Sequence, residues 1–496
     1  MGLHDECGVV GIYGADNAAS LTYFALTSLQ HRGQESAGIA VSNGEKINLH
    51  KGIGLVGDVF KQNHFESLKG CISIGHVRYA TAGGRTIENA QPFLNTFKLG
   101  SIALAHNGQL VNHSELRAML EDSGSTFSSS SDTEVILKLI VRKYVENGGK
   151  LGHPRPDRLS SEFDSQIKYD FNYDSDLFIN AVIQAVKEIK GSFALCIITE
   201  NMLIAVRDPN GIRPLCIGEI FNSQKGENQK SGSYIIASES CAIDAVNGKF
   251  IRDINPGEVL IINQKGIKSI LTNDSSDKIK KDKQTCIFEY VYFARPDSII
   301  DGIPVQQARY KMGEVLALES KVEADVVIGV PDSGIGAAMG YARKSNIPYV
   351  TGIVKNKYIG RTFIAPTQAE REAMVFVKLN AIKSDLEGKR VVVIDDSIVR
   401  GTTSRRLVEI LRKAGAKEVH FRVSSPPVKF PCYLGIDTPS KAELISSTHE
   451  LEEIRSEIGA DSLAFISLEG MISALSACSN GDTGFCKGCF CGLYPV

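Results

Sequence analysis

Residues 391–404 read VVVIDDSIVRGTTS and run directly into RRLVEILRKAG. Four apolar residues bounded by turn chemistry predict a buried strand, and the segment after Thr402 has the apolar spacing of a helix. The stretch therefore predicts a strand, a tight loop and the start of a helix. In such a corner the backbone N–H groups of the Arg400 to Ser404 turn lie at a helix N-terminus, where their partial positive charge favours a phosphate.

Two adjacent carboxylates, Asp395 and Asp396, stand at the end of this predicted strand. They suit the hydroxyl groups of a sugar and an Mg²⁺ ion, which takes only one or two carboxylates when a substrate phosphate completes its shell. A solvated strand exit is the plainer interpretation of the same residues. Neither the Walker pattern nor GxGxxG occurs within this segment, so the common nucleotide loops do not explain it. We therefore favour a site for phosphate, ribose and metal.

This segment resembles the phosphoribosylpyrophosphate (PRPP) loop of the type I phosphoribosyltransferases, and its long form with SIVRGTT resembles that of the glutamine PRPP amidotransferases. The resemblance implies that Asp395 and Asp396 contact the ribose hydroxyls and the Mg²⁺. It also implies that the 5-phosphate of PRPP binds the turn. The turn residues expected to bind PRPP are Ser397, Arg400, Gly401, Thr402, Thr403 and Ser404.

Another strand-to-helix corner, VVIGVPDSGIGAAMGYA, resembles the loop that binds pyrophosphate in the same family. The match covers Asp332, Ser333 and Gly334, and we extend a metal contact to Ser333. By itself a PDSG turn is more often a helix cap. Because it occurs in the same chain as a PRPP loop, we favour a pyrophosphate-binding loop over a simple helix cap.

The segment KNKYIGRTFIAPTQAERE, 355–372, resembles the mobile lid that closes over PRPP and excludes water in this family. An exposed charged loop would have the same composition. The cations available to neutralise the leaving pyrophosphate are Lys355, Lys357 and Arg361.

Cys7 is a candidate nucleophile because it would become the first residue if MGLHDE were removed. Its freed α-amine would then act as the base, as in N-terminal nucleophile enzymes. Burial as a small core residue is the commoner fate of a lone cysteine. Four segments decide between the two: HRGQESAGIA (31–40), GHVRYATAGG (75–84), AHNGQL (105–110) and SSSDTE (129–134) together resemble the glutamine-dependent class II amidotransferases.

The second resemblance assigns roles to residues of the N-terminal half. Arg78 is expected to pair with the α-carboxylate of glutamine, because a planar guanidinium suits a carboxylate, and Asp132 is expected to hold the α-ammonium. The Asn107 side chain and the Gly108 N–H are expected to form the oxyanion hole beside Cys7. Supporting residues in the glutamine site are expected at Arg32, His76 and Thr81.

The apolar pattern changes near the middle of the chain. Residues 7–145 hold short apolar runs broken by glycine, with helices predicted near Ala18 to Gln30 and Thr133 to Glu146, which favours a layered α+β domain. In the C-terminal half, buried strands alternate with helices, which favours a parallel, doubly wound α/β sheet. The pattern of FEYVYFARPDS, 288–298, predicts an aromatic-rich strand.

We expect an N-terminal nucleophile (class II glutaminase) domain at 7–270, preceded by a propeptide at 1–6. A type I phosphoribosyltransferase domain with a C-terminal cysteine tail is expected at 286–496. The polar stretch 147–176 is interpreted as a surface insertion in the first domain, and 272–285 as a linker or solvated loop.

The chain has 11 cysteines, and FCKGCFCG at 485–492 contains a CxxC, which is a metal or redox spacing. No second CxxC exists, and no thioredoxin pattern surrounds this one. In one branch of the glutamine PRPP amidotransferases four cysteines tie a 4Fe–4S cluster. Cys286, Cys432, Cys486 and Cys489 match those four places, while Cys491 is an extra thiol that leaves the ligand set open.

The composition excludes several classes of protein. With 496 residues and a net charge of −2, the chain shows no basic footprint, so neither nucleic acid nor an anionic membrane is expected as a partner. It has no run of eighteen apolar residues and no signal-peptide pattern at its start, so we expect a cytoplasmic protein with reduced thiols.

Together the resemblances cover nearly the whole chain and imply one reaction. Glutamine, PRPP and water become 5-phosphoribosylamine, glutamate and pyrophosphate, the first committed step of purine synthesis, with ammonia passing inside the protein from Cys7 to PRPP. Glutamine and PRPP are the expected small-molecule partners, Mg²⁺ and a 4Fe–4S cluster the expected cofactors. The family also implies a homo-oligomer, with a tetramer suspected.

Other functions would use part of the same motifs. The class II enzyme that makes glucosamine phosphate would carry sugar-isomerase domains in place of the PRPP loop, and a PRPP-sensing regulator would need a nucleic-acid-binding module. Neither feature is present in the sequence. A catalytically impaired, PRPP-binding relative with a regulatory role is the alternative that sequence alone leaves open.

Overall fold

A computed structural model of the chain describes residues 7–79, 86–97, 100–149, 175–221, 232–272, 283–356, 379–479, 481 and 484–496. The chain divides into two compact units. The first contains the described residues up to Lys283 together with Tyr433–Gly435 and Val496. The second contains Gln284–Cys432 and Ile436–Pro495.

The first unit contains two antiparallel sheets. Their strands are β1 (Gly8–Tyr13), β2 (Ser36–Ser42), β3 (Ile47–Ile53), β4 (Ile72–Arg78), β5 (Phe93–Phe97), β6 (Gly100–Leu110), β7 (Gly191–Ile198), β8 (Leu203–Arg207), β9 (Cys216–Ile220), β10 (Tyr234–Ala237), β11 (Gly248–Asp253), β12 (Glu258–Asn263) and β13 (Gly266–Leu271). The seven-stranded sheet has the order β11-β9-β10-β1-β4-β2-β3, and the six-stranded sheet has the order β13-β12-β8-β7-β6-β5.

Helices cover the outer faces of these sheets. The helices are α1 (Ala18–Ser28), α2 (Val56–Val59), α3 (Gln62–Ser67), α4 (His113–Asp122), α5 (Asp132–Glu146), α6 (Ser175–Glu188) and α7 (Cys241–Asp244). Helix α1 shares a core with the seven-stranded sheet, while α4, α5 and α6 share another with the six-stranded sheet. The two helices predicted from the sequence, near Ala18 and Thr133, are confirmed.

A third core lies between the two sheets and explains why so many strands are apolar throughout. Along β7, Phe193, Leu195 and Ile197 face the helices, whereas the smaller Ala194 and Cys196 face the other sheet. A strand covered on both faces needs apolar residues at every position, so the alternation of polar and apolar residues is lost. The layered α+β architecture predicted from the sequence is confirmed.

The second unit is built on a parallel sheet with the order β17-β20-β21-β22. Its strands and those of three small ribbons are β14 (Thr285–Cys286), β15 (Ile299–Ile300), β16 (Ile303–Pro304), β17 (Val326–Gly329), β18 (Ile353–Lys355), β19 (Leu379–Ala381), β20 (Arg390–Asp395), β21 (Glu418–Val423), β22 (Ser462–Phe465) and β23 (Phe485–Cys486). The helices are α8 (Val305–Glu319), α9 (Gly334–Ser345), α10 (Lys383–Leu386), α11 (Thr402–Lys413), α12 (Ile445–Thr448), α13 (Leu451–Ile458), α14 (Leu468–Ser476) and α15 (Gly488–Cys491). The parallel sheet and the strand–turn–helix corner at 391–404 are therefore confirmed.

The predicted strand at 288–298 is wrong. Residues Glu289–Phe293 form a π-helical turn instead. The buried Arg309 of α8 donates hydrogen bonds to the carbonyl oxygens of Tyr290, Tyr292 and Ala294. These carbonyl groups are satisfied by a distant guanidinium, so the aromatic segment needs no neighbouring strand.

None of the helices in the described ranges combines the length and the apolarity needed to cross a bilayer.

Candidate active sites

The first unit contains a pocket beside Cys7. Cys7 immediately precedes β1, and its Sγ lies 3.6 Å from the carbonyl oxygen of Tyr79. Burial raises the pKa of the Cys7 thiol, against the opposing effects of the Tyr79 contact and of Arg78 and Arg32. A buried thiol that holds its proton needs a base before it can act as a nucleophile.

The pocket brings together residues that the sequence places far apart. Its lining includes Cys7, Arg78 at the end of β4, Gly108 in β6 and Asp132 at the start of α5. Arg78 is the last residue of a buried strand and is 5% exposed. Two polar groups expected to hold the two ends of an amino acid therefore face the same pocket as the candidate nucleophile.

Asp132 is held in its ionised form. Burial alone would raise its pKa, but the charge of His106 and hydrogen bonds from His106 and the Leu110 N–H lower the pKa overall. Its Oδ2 accepts from Leu110 N at 3.0 Å, and its Oδ1 lies 3.5 Å from His106 Nδ1. An ionised carboxylate in this position suits a ligand ammonium group.

Asn107 and Gly108 have the features of an oxyanion hole. Asn107 is 1% exposed, and its Nδ2 finds no hydrogen-bond partner among the residues that the structure describes. Gly108 has a φ of +146°, and a Cβ there would lie 2.1 Å from the carbonyl oxygen of Ser192. Only glycine fits this backbone, and a buried amide donor without a partner is costly unless a ligand uses it.

Two of the expected supporting residues contact this machinery. Arg32 Nε donates to the carbonyl oxygen of Cys7 at 3.1 Å. His76 Nε2 lies 3.0 Å from the carbonyl oxygen of His106, and burial lowers the pKa of His76 to about 3. His76 is therefore a neutral support under β6. Thr81 lies outside the described residues.

Two further residues, which the sequence analysis does not name, support the pocket. Glu134 accepts hydrogen bonds from the backbone N–H and hydroxyl groups of Ser128 and Ser129, which fixes the loop before Asp132. Gln91 accepts from His106 N at 2.7 Å and so fixes β6 beside Asn107. Glu134 lies in the SSSDTE segment, and its serine partners are five and six residues before it, so a local signal was present. The partner of Gln91 is 15 residues away and left no such signal.

In the second unit, the end of β20 carries the paired carboxylates. Ser397 Oγ donates to Asp396 Oδ1 at 2.6 Å, and Ser333 Oγ donates to the other carboxylate oxygen. Burial raises the pKa of both Asp395 and Asp396, and the neighbouring charge of Asp396 adds to the effect at Asp395. The charge of Arg309 only partly offsets this effect at Asp396, and a divalent cation would supply further positive charge for the two adjacent buried carboxylates.

The two strand-to-helix corners meet at this point. A Cβ on Gly334 would lie 2.5 Å from the carbonyl oxygen of Ile394, so the loop before α9 packs directly on the end of β20. Asp332 accepts a hydrogen bond from Lys355 Nζ. Lys357 and Arg361 lie outside the described residues.

The turn after β20 leads into α11. Gly401 has a φ of +75°, and Thr402, Thr403 and the buried Ser404 form the first turn of the helix. Arg400 Nη2 donates to Glu443 Oε1 at 2.9 Å. The backbone N–H groups of this turn are thus at a helix N-terminus as predicted, while the Arg400 side chain is engaged by Glu443.

The cysteines of the tail lie close to those named from the middle of the chain. Cys286 and Cys486 are register partners in the parallel ribbon of β14 and β23. Burial raises the pKa of Cys489 well above its usual value, and the charges of Cys432 and Cys486 raise it further. Within the described ranges, no group of three or more His, Cys, Asp or Glu side chains has the arrangement needed to hold a metal ion. The thiols are therefore near one another but do not have coordination geometry.

Comparison with known proteins places both units in known families. Residues 61–150 match a glutamine amidotransferase domain, and residues 314–426 match a phosphoribosyl transferase domain. The amidophosphoribosyltransferase of Bacillus subtilis (strain 168) is 48% identical over 497 residues, which is 100% of this chain and 95% of that protein. That of Archaeoglobus fulgidus is 48% identical over 494 residues, covering 99% and 98%.

Two solved structures are similar across almost the full chain. One is described as the allosteric regulatory enzyme of purine biosynthesis, with a TM-score of 0.84, 47% identity, and coverage of 99% of this chain and 96% of that one. The other is the glutamine PRPP amidotransferase from B. subtilis complexed with ADP and GMP, with a TM-score of 0.83, 47% identity, and coverage of 99% and 97%. The likeness therefore extends over both units.

Proposed function

Because the chain belongs to the amidophosphoribosyltransferase family, we propose that it makes 5-phosphoribosylamine from PRPP and glutamine, with glutamate and pyrophosphate as the other products. It is a pentosyltransferase with a glutamine amidotransferase domain, and its reaction belongs to purine biosynthesis. The observation that carries the proposal is that Cys7, Arg78, Gly108 and Asp132, from four separate places in the sequence, line one pocket. The regulatory alternative is not favoured, because relatives matched over their full length are named as enzymes.

In the first unit the residues divide the work of hydrolysing an amide. Arg78 binds the α-carboxylate of glutamine and Asp132 binds the α-ammonium, which presents the γ-amide to Cys7. The Cys7 thiol attacks the amide carbon, and its α-amine, freed by removal of residues 1–6, takes the thiol proton and passes it to the departing ammonia. Asn107 Nδ2 and the Gly108 N–H stabilise the oxyanion, and water then releases glutamate from the thioester.

In the second unit the residues bind and orient PRPP. The N-terminal turn of α11 holds the 5-phosphate, while the loop Asp332–Gly334 and the Lys355 side chain hold the pyrophosphate. Asp395 and Asp396 would hold the ribose hydroxyls and an Mg²⁺ ion, with Ser333 as a further ligand. When bound, Mg²⁺ neutralises charge on the leaving pyrophosphate. The protein must deliver ammonia out of contact with bulk water, because protonated ammonia is not a nucleophile.

The tail cysteines would hold a 4Fe–4S cluster, with Cys286, Cys432, Cys486 and Cys489 as ligands. The proximity of buried thiols from the two ends of the second unit supports this set. Its role would be to join the tail to that unit. A cytoplasmic location and a homo-oligomeric state stay predictions from the sequence.

The decisive experiment separates the two nitrogen donors. Cys7→Ala is expected to abolish synthesis from glutamine, because the nucleophile is lost, and to retain synthesis from concentrated ammonia, because the PRPP residues are in another unit. Cys71→Ala, which removes a partly buried thiol that does not line the pocket, should retain both activities. Equal loss with both donors in Cys7→Ala would contradict the assignment.

A further inference from the structure

Glu239 is a fully buried carboxylate connected to Cys7 through one side chain. It lies between β10 and α7, and its Oε1 accepts hydrogen bonds from Arg32 Nη1 at 2.5 Å and from His31 Nε2 at 2.7 Å. The Arg32 side chain is equally buried, and its Nε donates to the Cys7 carbonyl oxygen at 3.1 Å. One carboxylate and one guanidinium thus link the protein core to the main chain of the nucleophile.

The residue before Glu239 holds the next part of the same strand. Ser238 Oγ accepts from Val9 N at 2.9 Å, and Ser238 N donates to Val9 O at 3.0 Å. Ser238 therefore fixes β1 two residues beyond Cys7, while Glu239 acts on Cys7 itself through Arg32. A residue at the start of a chain is restrained by covalent bonds on one side only, so contacts of this kind decide its orientation.

The charges of this group are matched inside the protein. A guanidinium buried without a counter-ion is strongly unfavourable, whereas the close carboxylate compensates it and leaves the remaining N–H groups to bind oxygen acceptors. Arg32 is also near enough to lower the pKa of the Cys7 thiol. When Glu239 is ionised, it neutralises the positive charge of Arg32. Without that negative charge, Arg32 would present a net positive charge to Cys7.

Resting on the glutaminase function proposed above, we infer that Glu239 is a positioning residue for the Cys7 nucleophile. It holds Arg32 against the Cys7 carbonyl group. Its negative charge also offsets the positive charge of Arg32 close to the Cys7 α-amine. The other charged or titratable groups that the structure describes at this point are Arg78 from β4, His106 from β6 and Asp132 from α5. Glu239 itself is also bound by His31 and by Cys241 of α7, whose Sγ donates to Glu239 Oε2 at 3.8 Å.

Glu239→Gln tests the charge with little change of shape, because the amide keeps one acceptor oxygen. Without the carboxylate, Arg32 is a net cation that disfavours protonation of the α-amine. The acid limb of kcat/KM for glutamine should therefore move to lower pH by about one unit. Glu239→Ala also loses the acceptor, and its kcat with glutamine should fall by about 10- to 100-fold with little change in KM. Synthesis from ammonia should be unchanged in both variants.

A matched control is Glu258→Gln, in the same unit. Glu258 is also fully buried and accepts from Arg252 at 2.6 and 2.8 Å, but Arg252 donates to the carbonyl oxygen of Asp253 and not to that of Cys7. This variant should lose stability and keep the wild-type pH profile. If Glu239→Gln fails to fold, Glu239→Asp serves as the test, because it keeps the negative charge on a shorter side chain. Its kcat with glutamine should fall, while the pH dependence of kcat/KM should stay that of the wild type.

The inference would be overturned by a pH profile of Glu239→Gln that superimposes on that of the wild type, or by a shift that Glu258→Gln reproduces. A shifted acid limb in Glu239→Asp would do the same. The failure of the proposed function is distinguishable, because in that case the wild-type protein itself would form no 5-phosphoribosylamine from glutamine.

Discussion

Asn107→Ala should separate activity from stability. The carboxamide of Asn107 is 1% exposed and its Nδ2 is unsatisfied within the described part of the chain. If this donor serves the oxyanion, its loss raises the barrier to attack by Cys7 by about 3 kcal/mol, which lowers kcat with glutamine by 10²- to 10³-fold. KM for glutamine should change little, because the bonds to the α-carboxylate and α-ammonium are made by other residues.

The effect on folding should be small. Removing an unsatisfied buried donor gains about 1–3 kcal/mol, and the lost packing of the side chain costs a similar amount. The melting temperature should therefore stay within about 4 °C of the wild-type value. Asn147→Ala is a matched control, because Asn147 Nδ2 is likewise buried and without a partner in the described residues. Asn147 follows the C-terminal end of α5, and neither of its chain neighbours lines the Cys7 pocket, whereas Asn107 is flanked by the lining residues His106 and Gly108.

Glutamate release and ammonia-dependent synthesis are measured on the same preparations, together with thermal unfolding. Asn107→Ala should lose only the glutamine reaction, and Asn147→Ala should lose neither. A fall of less than tenfold in kcat with glutamine, or an equal fall with ammonia, would refute the oxyanion assignment.

Three further changes probe the other groups. Asp395→Asn combined with Asp396→Asn should abolish Mg²⁺-dependent consumption of PRPP while glutamate release stays measurable, and a normal rate of PRPP turnover in the double variant would contradict the metal and ribose roles. Protein purified without oxygen should hold about four iron atoms per chain, and Cys432→Ser should lose them; iron analysis that finds equal amounts in both would point to another set of thiols. Because burial lowers the pKa of His76 to about 3, the unfolded chain binds one more proton than the folded protein from pH 6.5 down to that value. Stability should then fall by at most about 1.4 kcal/mol per pH unit as the pH drops below 6.5; His76→Gln should flatten this slope in unfolding titrations between pH 8 and 4, and an unaltered slope would show that His76 is not its source.

The corner at 391–404 was predictable because its signal is local. The apolar run and the turn chemistry of that stretch give β20 and the start of α11, and the same holds for α1 and α5. The stretch 288–298 has an equally local pattern, yet it contains a π-helical turn. Its carbonyl oxygens accept hydrogen bonds from the guanidinium of Arg309, which follows later in the sequence, and not from a neighbouring strand.

Residues that support the sites were hidden for the same reason. Gln91 and Glu239 are ordinary polar residues in the sequence, and each gains its role from partners that only the folded chain brings near. Glu134 differs from them, because its serine partners are only five and six residues before it. The inclusion of Tyr433–Gly435 in the first unit is another long-range feature. Ser192 Oγ donates to the Leu434 carbonyl oxygen at 2.7 Å, and no periodicity or turn signal could reveal that bond.

The pairing of β14 with β23 has a consequence for folding during translation. Cys286 and Cys486 are partners although 200 residues separate them (486 − 286). The segment that opens the second unit therefore leaves the ribosome long before its partner strand has been translated, and this ribbon forms only after Phe485 and Cys486 have been synthesised. A nascent or prematurely terminated chain presents the edge at Thr285 and Cys286 unpaired, and unpaired strand edges are where chaperones act and where aggregation begins.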